Sequence, residues 1–148
     1  MTIAVEVSAP RMRLPLARRD AAALAAGVLR AEGVRDAMLS VAFVSRRAIA
    51  ALNRRHLHRP GATDVIAFAF RRPGARAPVV GDVYIAPDVA RAQAARLGLP
   101  VREELARLVV HGTLHVLGHD HPDGEGRTAS PMWRRQERLL RRLATVRS

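Results

Sequence analysis

The stretch "HGTLHVLGHDH", His111 to His121, most constrains what this chain can fold into, because it holds four of the six histidines. His111 and His115 continue the apolar spacing of Leu105 and Leu108, so on a helix their imidazoles leave one face about a turn apart. Gly118 is suited to end that helix in a left-handed conformation, which turns the chain back and lets His121 approach from a loop. Three imidazoles can then grip one Zn²⁺ and leave a fourth tetrahedral position for water, as in a catalytic rather than a structural site.

The rest of the composition narrows the chemistry. There is no cysteine, so disulfides, thiolate ligands and thiol nucleophiles are all excluded, and any metal must be held by His, Asp or Glu. Neutral imidazoles leave the ion's charge undiminished, which lowers the pKa of bound water from about 15.7 to about 7 and polarises a phosphoryl or carbonyl oxygen. Hydrolysis is the natural use. The spacing H-x3-H-x5-H also occurs in zinc peptidases, where a Glu after the first His takes the proton of that water. Here the position is Gly112, so a peptidase is disfavoured and survives only as a degenerate one.

The 148 residues, 49% of them apolar, fit one domain with a single core, residues 1–148. No sustained apolar run marks a membrane span, and the N-terminal stretch, with Glu6, does not resemble a signal peptide. A cytoplasmic protein is expected. The formal net charge is +12 and all 25 basic residues are arginine. A codon usage rich in Arg and Ala can produce such a total, but position is more telling. Between Asp36 and Asp82 eight arginines face one acid, Asp64, and from Met132 to Ser148 six face Glu137 alone. Two such concentrations suit a polyanion, because each arginine that meets a phosphate releases counterions and can bond bidentately. The five aromatics fall mostly in apolar patterns that read as core, which argues against a stacking platform for bases.

The chain reads as strands early and helices late. "TIAVEV" alternates like an edge strand, a helix follows until Gly33, and "AMLSVAFVS" is a strand. Ser45 caps a helix with Ile49 and Leu52 on its buried side. "DVIAFAF" and "VVGDVYIA" form a hairpin across "RRPGARAP". Pro87, Pro100 and the pair Ser130-Pro131 open three further helices. The expected fold is a single α+β domain, a small mixed sheet packed with about five helices.

The segments "LNRRHLHRPGATDVIAF", "VGDVYIAPDVARAQA", "HGTLHVLGHDH" and "MWRRQERLL" resemble the YbeY family of bacterial rRNA maturation factors, in order across roughly Leu52 to Leu140. The resemblance implies one zinc ion on His111, His115 and His121. It also implies single-strand-specific endoribonuclease activity in 16S rRNA 3′-end maturation and ribosome quality control, with rRNA precursor and ribosomal particles as partners. Two positions depart from the family. Ala67 stands where many members carry serine, and the family's usual active-site arginine falls on Leu57, leaving Arg59 or Arg55 to supply that charge. The alternatives are an rRNA-binding assembly factor with a mainly structural zinc, and the degenerate peptidase.

Other residues carry two readings each. Asp120 is a candidate to orient a ligand imidazole, or simply a turn residue. His119 is read as a solvent-facing non-ligand, His56 and His58 as parts of the basic face, and Met132 as core. Asp64 and Asp82 sit beside strands, as turn caps or catalytic groups.

Overall fold

The computed structural model describes residues 2–121 and 124–145; Val146, Arg147 and Ser148, which the last helix and the C-terminal basic segment were expected to include, lie outside them. The elements run β1 Ile3–Ser8, α1 Arg18–Ala31, β2 Ala37–Phe43, α2 Arg46–Leu57, β3 Val65–Ala69 and β4 Val79–Ile85. Then come α3 Pro87–Leu97, α4 Val101–Val116, a 3₁₀ helix Gly124–Ala129 and α5 Pro131–Thr145. The sheet order is β1-β2-β4-β3, with β1 the expected edge strand. β1, β2 and β4 are parallel, and β3 returns antiparallel on β4 as the expected hairpin.

The local devices act as their residue types dictate. The Ser45 hydroxyl accepts the Ala48 N–H at 3.1 Å to start α2, and Ser130 Oγ accepts the Trp133 N–H at 3.2 Å to start α5. α4 is buried almost all round, with Leu105, Leu108, Val109, Val110 and Leu114 each at most 2% exposed, because it packs against β3, β4, α1, α3 and α5 together. Its approach to the sheet depends on two glycines. A Cβ at Gly112 would lie 2.5 Å from Val83 Cγ1, and one at Gly81 would lie 2.5 Å from Val116 Cγ1 and 2.8 Å from the Phe68 carbonyl oxygen. A second, smaller cluster of Ile49, Ile66 and Ala86 lies under α2. Among the described residues no helix is long and apolar enough to cross a membrane.

Candidate metal centre and its cleft

α4 ends as its sequence requires. Gly118 adopts φ +96; its N–H bonds the His115 carbonyl at 3.0 Å, and the next N–H, of His119, reaches back to the Leu114 carbonyl at 3.1 Å. This paired closure reverses the chain after the last turn. Asp120 then accepts the main-chain N–H of its neighbour His121 at 2.8 Å, shaping the turn that returns His121 toward the helix. The candidate ligand atoms of His111, His115 and His121 consequently all lie within 4.8 Å of one another. Their ring centroids are 4.6 to 5.1 Å apart. Three nitrogen donors so grouped, with no acid among them, can hold a borderline-soft divalent ion.

His111 is oriented from behind. Its Nδ1 lies 2.5 Å from Oε1 of Gln136 on α5. Gln136 Nε2 donates to Glu137 Oε2 at 3.0 Å, and because a carboxylate only accepts, the Gln136 carbonyl must face the histidine. Nδ1 therefore carries the proton and Nε2 is the nitrogen available to an ion. Glu137 is held in turn by Arg107, whose Nε and Nη2 reach its two oxygens at 2.9 and 3.0 Å, and Arg107 also binds Glu104 at 2.9 Å. Burial, with His115, Arg127 and His121 nearby, pushes the His111 imidazolium down to about 4. Burial and then His121 lower His115 as well. Both rings are thus neutral near pH 7, the form a ligand must have.

Sequence reading missed Gln136, although a signal was present. It lies at helical spacing with Met132, Leu139, Leu140 and Leu143, and a polar residue in a core stripe needs a partner. At 1% exposure it is core in position and polar in function.

In front of the histidines lies a cleft of about 600 Å³ whose walls include Leu57, Arg59, Asp64, Asp120 and Arg127. Leu57 ends α2, His58 turns left-handed at φ 55, and both neighbours of that turn line the same cleft. The buried Asn53 shapes the loop: its carbonyl accepts the Arg59 N–H at 3.3 Å, and its side chain donates to the Gly61 carbonyl at 3.0 Å. Arg55 is not among the lining residues. Arg127, which sequence reading also missed, sits 5.8 Å from the Trp133 ring centroid. Its Nε is the one buried side-chain N or O atom among the described residues with no hydrogen-bond partner.

The remaining candidates separate. His119 lies outside the three-histidine group and, instead of facing solvent, places Nε2 2.6 Å from Glu32, the residue that caps the end of α1. Burial would raise the Glu32 carboxyl, but Arg135 and His119 overcome it and hold the group below its usual range. Asp64 caps the start of β3 by accepting the Val65 N–H at 2.8 Å and also lines the cleft. Asp82 accepts the Ser40 hydroxyl at 2.7 Å within the sheet. His56 packs edge-on against Phe68, and Met132 is core, 3% exposed.

These features define a small α+β domain built around three histidines that could hold a metal ion. The family model described as Endoribonuclease YbeY matches residues 11–144, and the chain belongs to that family. It is 40% identical over 121 residues to an Endoribonuclease YbeY of Anaeromyxobacter sp., a match covering 82% of this chain and 62% of that protein. A Bacillus licheniformis relative of the same name is 37% identical over 127 residues, with 79% of each chain covered. The chain thus spans less than two thirds of the length of the first of these relatives. A solution structure from Thermotoga maritima shares the fold, at a TM-score of 0.62 and 20% identity over 96% of this chain and 90% of that one.

Proposed function

We propose that the protein is a zinc-dependent, single-strand-specific endoribonuclease that acts in the cytoplasm on rRNA precursor, in 16S rRNA 3′-end maturation and ribosome quality control. The observation that carries this reading is the convergence of three imidazoles with Arg59 and Arg127 on one cleft, and family membership supports it. His111, His115 and His121 would hold the ion, which when bound acidifies a coordinated water and polarises a phosphoryl oxygen. Gln136 fixes the tautomer of His111, and Asp120 shapes the turn that presents His121. Arg59 and Arg127 meet the phosphate and stabilise the charge that develops on it as the phosphodiester breaks. In this family position Arg59 supplies the cation that Leu57 lacks.

The peptidase alternative loses its base for a steric reason. Gly112 is packed onto Val83, so the glutamate such an enzyme needs has no room at that position. The deciding experiment compares metal-loaded and chelated protein on a single-stranded rRNA fragment and on its duplex. Cleavage of the single strand by the loaded form alone is the expected result. Full rescue of rRNA processing in cells by a folded, metal-free variant would instead favour the assembly factor.

A further inference from the structure

Beyond His111 the cleft continues into a second cavity, of about 460 Å³, that shares Asp64, His111 and Arg127 with the first. Its character is different. Leu97, Leu99, Leu108 and Trp133 give it an apolar wall, Gln93 and Thr128 supply neutral donors and acceptors, and Arg96 and the paired Arg107 and Glu104 add charge at its edge. Its size lies within the roughly 300 to 1,000 Å³ of small-molecule sites, and an apolar wall with a few polar groups is what such sites present. Trp133 is one of the five aromatics that, taken together in the sequence, read against a base-stacking platform. It is only partly buried, and it is held against the cavity by the capped first turn of α5. The same Ser130 hydroxyl donates to the Arg127 carbonyl at 2.7 Å, so one residue sets both Arg127 and Trp133.

We propose that this cavity receives one unstacked nucleobase of the RNA strand, the base next to the phosphate held at the histidines, against the Trp133 wall. The inference rests on the nuclease reading for its choice of ligand. A nucleotide is an apolar, flat, hydrogen-bonding ring joined to an anion. The protein presents the matching pair of sites in order: an apolar cavity with polar groups, then Arg127 at the junction, then the imidazoles. Arg127 belongs to both spaces and keeps a buried Nε without a partner, so a phosphate at the junction would satisfy it. A base locked in a duplex cannot enter a side cavity, so this subsite also accounts for a single-strand requirement. Stacking on aromatic groups tolerates any base, which suits an enzyme selecting strand form before sequence.

Trp133 is the chain's single tryptophan, so its fluorescence reports on the cavity directly. The zinc-loaded full chain is titrated with AMP, with ribose 5-phosphate and with inorganic phosphate. Saturable quenching by AMP alone is expected; equal responses to AMP and ribose 5-phosphate would show a phosphate site only and overturn the proposal. In a second arm an abasic nucleotide is stepped along a cleavable single-stranded oligonucleotide. At one position beside the cut, the wild type should lose on the order of 10-fold in kcat/KM. Trp133→Ala should show the same loss on the intact oligonucleotide and none further on the abasic one, with Trp133→Phe retaining most of the rate. Additive losses at every position would overturn the subsite. Should Trp133→Ala not fold, the abasic series on wild type and Trp133→Phe decides the same question. The fluorescence arm needs no turnover, so a protein that binds AMP but cuts no RNA rejects the nuclease reading alone, and one that cuts RNA without base-dependent quenching rejects the subsite alone.

Discussion

The two walls of the cleft are built on opposite plans. On the α4–α5 side, His111 is 4% exposed and Gln136 1%. Behind them Glu137, Arg107 and Glu104 form a continuous hydrogen-bonded series. On the α2–β3 side the guanidinium of Arg59 is carried on an exposed residue, and what is fixed is its backbone, through Asn53. A metal ligand must be neutral, in one tautomer and at one distance, which requires a rigid surround. A phosphate-binding cation must follow a substrate whose backbone varies, so a long side chain on a fixed anchor serves it better. The basic character also divides in this way. Arg135 is committed to Glu32 and Arg72 to carbonyls of its own turn, so counting arginines overstates what is offered to a polyanion.

The largest effect should come from removing a candidate ligand on the buried wall. His115→Ala is expected to abolish the bound ion and the cleavage while leaving salt-sensitive RNA binding largely in place, because the arginines proposed to meet phosphate lie elsewhere. Metal analysis beside filter binding measures both, and a stoichiometric ion surviving even in the triple alanine variant of His111, His115 and His121 would reject the site.

The exposed wall should answer differently. Arg59→Ala is expected to slow single-turnover cleavage by about 10²-fold while changing affinity and its salt slope by about one phosphate contact. Equal, small losses in rate and affinity would make Arg59 an ordinary surface cation.

Gln136→Leu tests whether the rigidity matters, since it keeps bulk but removes the acceptor for His111 Nδ1. Metal affinity should fall by about 10- to 100-fold, read by competition with a chelating dye. An unchanged affinity would leave the relay a packing feature.

Gly112→Ala forces a methyl into Val83 and should cost about 1 to 3 kcal/mol of stability, measured by denaturant unfolding. A neutral result would mean that α4 can lift from the sheet.

The smallest expected effect lies at Glu32, which ties α1 to His119 and Arg135. Its carboxyl is lowered on folding, so its contribution is present above its unfolded pKa and is lost as pH falls through the folded one. Glu32→Gln should therefore flatten the acid side of the stability profile below about pH 4.5 and leave its neutral side nearly parallel to wild type. A profile of unchanged slope would place the shift elsewhere.

What the sequence determined by itself is what short-range geometry controls. The spacing of His111, His115 and His121 around Gly118, the serine caps of α2 and α5, and the β3–β4 hairpin each depend on residues near one another in sequence, the farthest pair being Val65 and Ile85 of the hairpin. Backbone preference and hydrogen bonding decide them before the chain is folded. Only the tertiary structure decided that β4 pairs with β2 and that Gln136 stands behind His111. The same holds for His119 docking on Glu32, 87 residues away in sequence, and for Arg127 and Trp133 lining one cavity with Leu97 and Leu99. The apolar stripe around Gln136 marks it as buried, but no periodicity names the partner in any of these long-range pairings. They arise because α4, buried almost all round, must satisfy polar groups and fill space against five other elements at once, and the partners on those elements meet only when the layers pack.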